Sequence, residues 1–213
     1  KSGLDANTMI FFSSDNGPER SWVERIEEFG HDSSGIYKEG KRSIYEGGHR
    51  VPFFVRWPGG IKEPGRSWDG LVGQIDLLST VAEMIGAKLP GYAGEDSQSF
   101  YSVLRKANSS HKRLPLLNHA IGGRLSITEG SWKLIMPHEK LGYELYNLAR
   151  DPGEESNVFD GNPEIAKRFE KKITQIVCRG RTTKGRPQSN DTGYWDDLAW
   201  LTEAEYNKSA TKN

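Results

Sequence analysis

Two adjacent side chains with hard oxygen donors, Asp15 and Asn16, follow closely on the apolar run at residues 8–12. That run is rich in residues that suit a buried, pleated surface, and it ends at a turn signal, so it predicts a central strand of an α/β sheet. Ligand sites in such sheets lie beyond the carboxyl ends of the strands, where Asp15 and Asn16 are expected. A carboxylate beside a carboxamide favours Ca²⁺ or Mg²⁺ over zinc. The alternative is a plain turn, because Asn and Gly tolerate positive φ.

Lys41 is the next residue with a chemical role to offer. Its ammonium group supplies three donors and a compact charge, which suits a sulfate oxygen or the negative charge that develops on a leaving oxygen. The alternative is an ordinary solvated lysine, since most lysines are exposed. The pair Gly47-Gly48 predicts a close backbone approach or a positive-φ turn, and Arg50 is expected to order that turn rather than to contact substrate.

Several short motifs accompany these residues in a fixed order. They are Ser14-Asp15-Asn16-Gly17, Gly40-Lys41, Tyr45-Glu46-Gly47-Gly48, Arg50-Val51-Pro52, Trp57-Pro58-Gly59, Gly130-Ser131-Trp132-Lys133-Leu134-Ile135, Tyr143-Glu144-Leu145-Tyr146-Asn147-Leu148 and Asp151-Pro152-Gly153-Glu154. As a combination they resemble the formylglycine-dependent, arylsulfatase-like sulfatases of the alkaline-phosphatase superfamily. The resemblance covers most of the chain.

The resemblance implies that the complete protein is a sulfuric ester hydrolase, in which a hydrated formylglycine attacks sulfur. Asp15 and Asn16 would then be metal ligands, for Ca²⁺ or alternatively Mg²⁺. Lys41 would be a catalytic residue that holds the sulfate and assists the leaving oxygen. The implied substrate is a sulfated small molecule or glycan, and many bacterial relatives are periplasmic or secreted.

The chain lacks the nucleophile motif of that family, Cys/Ser-x-Pro-x-Arg. The only cysteine, Cys178, has Gly180 at the proline position, and no serine fits the pattern. The resemblance therefore implies a C-terminal portion of a sulfatase, with the formylglycine and the paired acidic metal ligands expected only in a missing N-terminal half. The 213 residues alone are expected to be inactive, because the remaining positive charge can bind an anion without cleaving it. Cys178 is predicted to be an inert buried thiol.

Two domains are predicted, at residues 1–110 and 111–213. The first is expected to be the C-terminal part of a catalytic α/β domain, with part of an alkaline-phosphatase-like sheet and helices. Apolar spacing predicts helices near residues 22–29 and 76–85, with Asp76 as the N-cap of the second.

The second domain is predicted to be a smaller α+β subdomain, an antiparallel sheet plus one helix. Alternation over residues 125–136, including the apolar positions Trp132 and Leu134, predicts a hairpin with one apolar face, and residues 143–147 predict a third strand. Asn162 and Pro163 open one long helix, and the tail after it is expected to wrap over the body. The tail extends to residue 213.

The composition of the chain limits the classes of binding partner that are expected. The chain has 29 Lys and Arg and 29 Asp and Glu, so global charge does not favour nucleic acid, and anion recognition must be local. One cysteine cannot form an internal disulfide. The sequence contains no apolar run of the roughly eighteen residues that a membrane span requires. No nucleic-acid or membrane partner is therefore expected.

Two other functions stay open at this stage. A phosphoesterase or phosphonate hydrolase of the same superfamily would use similar metal sites, and a non-catalytic module could recognise sulfated glycans. The particular sulfate ester, and exo or endo action, cannot be read from these residues. The strand at residues 8–13 is apolar on both faces, so the chain alone is expected to associate along that sheet or to require the missing half.

Overall fold

The computed structural model describes residues 2–106 and 109–210, and these form two compact units. The first unit is made of the described residues within 1–13, 52–116 and 181–186, and the second of those within 14–51, 117–180 and 187–213. The strands are β1 Ile10–Ser13, β2 Phe53–Arg56, β3 Leu116–His119, β4 Leu125–Glu129, β5 Trp132–Ile135 and β6 Glu144–Asn147. The helices are α1 Trp22–Phe29, α2 Glu46–His49, α3 Leu77–Met84, α4 Tyr101–Arg105, α5 Pro163–Arg179 and α6 Glu203–Ala210. In the described part, none of these helices has the length and apolar character needed to cross a membrane.

The compact units do not follow a single cut near residue 110. Residues 14–51 belong to the second unit, where Ile44 packs with Ile135 and Tyr146 of the later sheet. The division into domains at 1–110 and 111–213 therefore stays a prediction about the complete protein. Residues 1, 107–108 and 211–213, which that division includes, lie outside the described residues.

The first unit contains the predicted strand as β1, paired antiparallel with β2. Alternate side chains of a strand point to opposite faces, and here Phe11 and Phe53 pack with Phe100. On the opposite face Phe12 is 66% and Phe54 is 63% exposed. A strand is thus confirmed, but within the described residues it is only half-buried on one face and exposed on the other. It is also not central there, because its sheet has two strands, β1 and β2.

Asp76 precedes α3, as predicted, but its side chain makes no capping bond to that helix. Its carboxylate accepts hydrogen bonds from Arg113 at 2.6 Å and 2.8 Å instead, and from the backbone N–H groups of Gly73 and Gln98. Both charged side chains are almost fully buried. The ion pair with Arg113 and the hydrogen bonds to the Asp76 carboxylate are therefore more favourable than a capping bond to the helix. The predicted N-cap position is confirmed, whereas the predicted side-chain bond to the free amides of α3 is not formed.

The second unit is built on a four-stranded sheet in the order β3-β4-β5-β6. The predicted hairpin is confirmed as the antiparallel pair β4–β5, and the predicted third strand as β6. The predicted helix is α5, Pro163–Arg179, which is followed by Gly180 in the left-handed conformation. Its Phe169 and Ile173 pack on one face of the sheet.

The other face of this sheet is buried as well. Ile135 and Tyr146 pack against Ile44 there, and Lys133 is fully buried on β5. The alternation in sequence predicted one apolar face only. The residues at 14–51 cover the second face, which a local pattern cannot reveal because that segment lies far away in the sequence.

Candidate functional site

The loop that carries Asp15 and Asn16 is held by backbone hydrogen bonds within the second unit. The N–H of Gly17 donates to the carbonyl of Gly48 at 2.9 Å, and the N–H of Lys41 donates to the carbonyl of Pro18 at 2.8 Å. A Cβ atom at Gly17 would lie 1.7 Å from the carbonyl oxygen of Gly47. The glycines predicted to allow a close backbone approach therefore do so, and they bring the two predicted site segments together.

Asp15 and Asn16 have adjacent side chains at the start of this loop. The Nδ2 of Asn16 donates to Oδ1 of Asp15 at 3.0 Å, and the hydroxyl of Ser14 donates to the carbonyl of Asn16 at 2.9 Å. Asp15 is exposed and Asn16 is half-buried. The donor types fit Ca²⁺ or Mg²⁺, although Ca²⁺ takes about six to eight oxygens. Within the described residues there is no group of three or more His, Cys, Asp or Glu side chains that could hold a metal.

Lys41 lies on the neighbouring segment, paired with a residue that the sequence did not single out. Its Nζ is 3.2 Å from Oε2 of Glu19, and the Lys41 side chain is 32% exposed. Arg42 donates to the other carboxylate oxygen at 2.5 Å. Hydrogen bonds from the Arg20 backbone, Arg42 and Lys41 lower the pKa of Glu19 to about 2. Glu19 therefore stays ionised, and it pairs with both Lys41 and Arg42.

The backbone around Lys41 is unusual. Glu39 has φ +60° and Arg42 has φ +78°, both in the left-handed region that disfavours residues with a Cβ. Ser43 donates to the carboxylate of Glu39 at 2.5 Å. Such conformations persist only where the surroundings determine them, and they cluster at functional sites.

A buried network of charged residues underlies the Gly47-Gly48 turn. Lys133 lies 3.0 Å from Oε1 of Glu46 and 2.9 Å from Oε1 of Glu154. The other carboxylate oxygen of Glu154 accepts the backbone N–H of Glu46 at 2.5 Å. Lys133 and Glu154 are fully buried, and Glu46 is nearly so.

Two further side chains, His49 on α2 and Arg50 directly after it, complete this network. His49 Nε2 lies 3.1 Å from Oε1 of Glu46, and Arg50 lies 3.3 Å from Oε2 of the same carboxylate. Burial raises the pKa of Glu46, but the His49 hydrogen bond and the Lys133 charge outweigh that effect and hold the pKa well below its ordinary value. Burial raises the pKa of Glu154, although Lys133 opposes the shift. Arg50 is 47% exposed and contacts the residue that precedes Gly47, which is consistent with its expected role in ordering the turn.

A second polar group lies beside this network. Glu144 on β6 accepts from the hydroxyl of Tyr45 at 2.8 Å, from Arg124 at 2.7 Å and from the hydroxyl of Tyr146. Burial and the bond to Glu144 raise the pKa of Tyr45 to about 12. Tyr45 therefore stays protonated and joins the start of α2 to the sheet.

Sequence reasoning found Asp15, Asn16 and Lys41 as candidates and missed Glu19, Lys133 and Glu154. A signal for the last two was present. Lys133 is a single charged residue within an apolar stretch of one motif, and Glu154 is the acidic residue that ends another motif. Their meeting with Glu46 could not be read from spacing.

Comparisons with known proteins find similarity to sulfatases over most of the chain. The family model described as Sulfatase matches residues 1–87. An N-acetylgalactosamine-6-O-sulfatase of Bacteroides thetaiotaomicron is 32% identical over 196 residues, covering 83% of this chain and 37% of the relative. Arylsulfatase A of Homo sapiens is 28% identical over 191 residues, covering 76% of this chain and 36% of the relative.

This chain superposes with a TM-score of 0.73 and 32% identity on a solved structure from work on the metabolism of multiple glycosaminoglycans by Bacteroides thetaiotaomicron. It is matched over 83% of this chain and 40% of its own length. The fold is therefore a mixed α/β fold of the alkaline-phosphatase-like type, as predicted. The chain belongs to the sulfatase family. It spans less than half the length of these relatives.

Proposed function

We propose that the complete protein, of which this chain is a part, hydrolyses sulfate esters. Membership of the sulfatase family supports the proposal. The strongest structural support is that the Asp15–Asn16 loop and Lys41 lie on neighbouring segments. The backbone hydrogen bonds Gly17–Gly48 and Lys41–Pro18 hold these segments together. Oxygen donors for a cation and a cation for an anion lie on neighbouring segments, which is the combination that sulfate transfer requires.

Lys41 is proposed as a catalytic residue. Its ammonium would donate to a sulfate oxygen and would stabilise negative charge that develops on the leaving oxygen. Glu19 would hold Lys41 in the loop before substrate binds, since their ion pair is exposed and weak enough to be exchanged for a sulfate.

Asp15 and Asn16 are proposed as metal ligands, for Ca²⁺ or alternatively Mg²⁺. Both oxygen donors suit these ions, and rotation of the Asn16 carboxamide would turn its oxygen towards the carboxylate. The bound ion would supply polarisation of the sulfate group. The further oxygens and the formylglycine are proposed to come from a part of the complete protein that precedes this chain.

A sulfated glycan is the proposed substrate class. The relative from Bacteroides thetaiotaomicron is named for N-acetylgalactosamine 6-O-sulfate, and this chain matches it along most of its own length. A sulfated small molecule is the alternative, as the name arylsulfatase indicates for the human relative. A periplasmic or secreted location is likewise a proposal, which fractionation of the producing cells tests.

The experiment is an activity assay of the complete protein with matched esters. An aryl sulfate, N-acetylgalactosamine 6-sulfate and the corresponding aryl phosphate are compared with and without Ca²⁺. Release of sulfate, lost with chelator and much faster than release of phosphate, supports the proposal. Preferred release of phosphate would identify a phosphoesterase, and binding of the sulfated sugar without turnover would identify a glycan-binding module; either result overturns it.

A further inference from the structure

The buried network of Lys133, Glu46 and Glu154 joins three segments that are remote in sequence: strand β5, the first residue of α2 and the turn after β6. Burying such charges costs free energy, and well-packed apolar residues in the same place are often as stable or more stable. Stability alone therefore does not account for the network. A fixed geometry for one of the joined segments does.

The segment that the network fixes is α2. Glu154 accepts the N–H of Glu46 through one carboxylate oxygen and pairs with Lys133 through the other. Lys133 in turn pairs with the side chain of Glu46. The backbone and the side chain of one residue are thus both anchored to the sheet.

The anchored residue leads directly to the candidate site. Glu46 is followed by Gly47 and Gly48, and the carbonyl of Gly48 accepts the N–H of Gly17 at 2.9 Å. The carbonyl of Gly47 lies against the Cα of Gly17 so closely that no Cβ would fit. A shift of Glu46 is therefore transmitted to the loop that carries Asp15.

We propose that Lys133 and Glu154 are positioning residues: through Glu46 they fix the Gly47-Gly48 turn against which the Asp15–Gly17 loop is held. The assignment rests on the proposed sulfatase function, since that function gives the loop its role. Neither residue touches the substrate. Their effect on the reaction passes through the backbone of α2.

The test compares three variants of the complete protein. Lys133→Met removes the buried cation. Lys133→Met combined with Glu154→Gln removes one charge of each sign and keeps an oxygen that accepts the Glu46 N–H. Lys172→Met is the matched control, because Lys172 pairs with Glu129 in the same unit but away from the loop. If Lys133→Met does not accumulate as folded protein, the double variant carries the test.

The first measurement is residue-resolved hydrogen exchange, which does not depend on activity. In the double variant the Gly17 and Lys41 amides should exchange about tenfold faster or more, whereas the Leu134 and Leu145 amides of the sheet keep wild-type rates. The Lys172→Met control should show no change at Gly17. Unchanged exchange at Gly17, or an equal loss of protection in the loop and the sheet, would contradict the proposal.

The second measurement separates this proposal from the proposed function. With a sulfate ester, kcat of the double variant should fall on the order of 10²-fold, since a displacement of about 1 Å has that effect, while KM changes little. A wild-type protein without sulfatase activity would overturn the proposed function, and the exchange data would still decide whether the network holds the loop. An active wild type with kcat unchanged in the double variant would overturn the positioning role.

Discussion

Lys41 carries positive charge that the proposed reaction needs, and its ion pair is with the exposed carboxylate of Glu19, which contributes little to stability. We expect Lys41→Ala in the complete enzyme to lower kcat about 10²–10³-fold, as removal of one strong donor to a developing anion does. The melting temperature should hardly change. Steady-state kinetics with an aryl sulfate and a thermal melt are the measurements.

Lys140→Ala provides the control for this substitution, because Lys140 is an exposed lysine of the same unit. It should leave both kcat and the melting temperature at wild-type values. A Lys41→Ala enzyme with unchanged kcat/KM would show that Lys41 takes no part in the reaction.

Glu19 offers a test of the loop that needs no substrate. Its pKa of about 2 lies below the ordinary value of 4.5, so the ion pairs stabilise the folded state fully above pH 4.5 and lose their effect as the pH falls towards 2. The contribution is small because the carboxylate is exposed. We expect an NMR titration to give a Glu19 pKa near 2, and Arg42→Ala to raise it. A wild-type pKa at the ordinary value would mean that Lys41 and Arg42 are not held by Glu19 in solution.

The sequence supplied the identities of Asp15, Asn16 and Lys41, because short motifs record which residues take part. It could not supply the partners Glu19 and Lys133. The role of Lys133 depends on burial, and burial depends on residues 14–51 lying over the second face of the sheet. The metal and sulfate roles of the three predicted residues stay proposals.

The turn that carries Lys41 stores backbone strain at Arg42, whose φ is +78°. Arg42→Ala and Arg42→Gly both remove the guanidinium group, but only glycine adopts this conformation without a steric cost. We expect Arg42→Gly to be more stable to urea than Arg42→Ala by about 1 kcal/mol. Equal stability of the two variants would show that the turn relaxes and that no strain is stored there.

The contact between the two site loops depends on glycine at position 17. A methyl group there would overlap the carbonyl of Gly47, 1.7 Å away, so the loop must move. We expect Gly17→Ala to cost about 2–4 kcal/mol of unfolding free energy and to reduce sulfatase activity strongly. Urea unfolding and kinetics check the two parts of the prediction.

Gly142→Ala is the matched control, because a Cβ there meets nothing within 4 Å. It should change stability and activity little. If Gly17→Ala behaved like this control, the close approach of the two loops would not exist in solution.

Periodicity predicted α1, α3, α5 and the β4–β5 hairpin because each of these elements is specified by residues near in sequence. It failed on the second face of the sheet. Lys133 and Ser126 are fully buried although their positions alternate with the apolar ones. Alternating apolar residues indicate that one face of a strand is covered. When a remote segment covers the other face, the strand sequence need not show a corresponding pattern.

At the scale of the whole molecule, the motifs indicated the family but not the way in which the chain divides into compact units. Residues 14–51 join the later sheet because Ile44 and Glu46 are held there by packing and ion pairs. Those interactions involve partners about ninety residues away, beyond the reach of a local sequence pattern. The contiguous division at 1–110 and 111–213 drew on no such long-range signal, and it stays a prediction about the complete protein.

The last prediction concerns the 213-residue chain expressed alone. Ile10, Phe12 and Phe54 form an exposed apolar face on β1 and β2, which is unfavourable in water. We expect the isolated chain to self-associate with rising concentration, as measured by light scattering after gel filtration, and to release no sulfate from an aryl sulfate above background. Phe12→Ser combined with Phe54→Ser should reduce the association.

Phe29→Ser, at an exposed phenylalanine of the other unit, should leave the association unchanged. This control separates the effect of the β1–β2 face from the effect of removing any exposed aromatic ring. A chain that stays monomeric at all concentrations would show that the face tolerates water. Metal-dependent sulfate release by the isolated chain would mean that a nucleophile is present among these residues, since positive charge and metal ligands alone bind an anion without cleaving it.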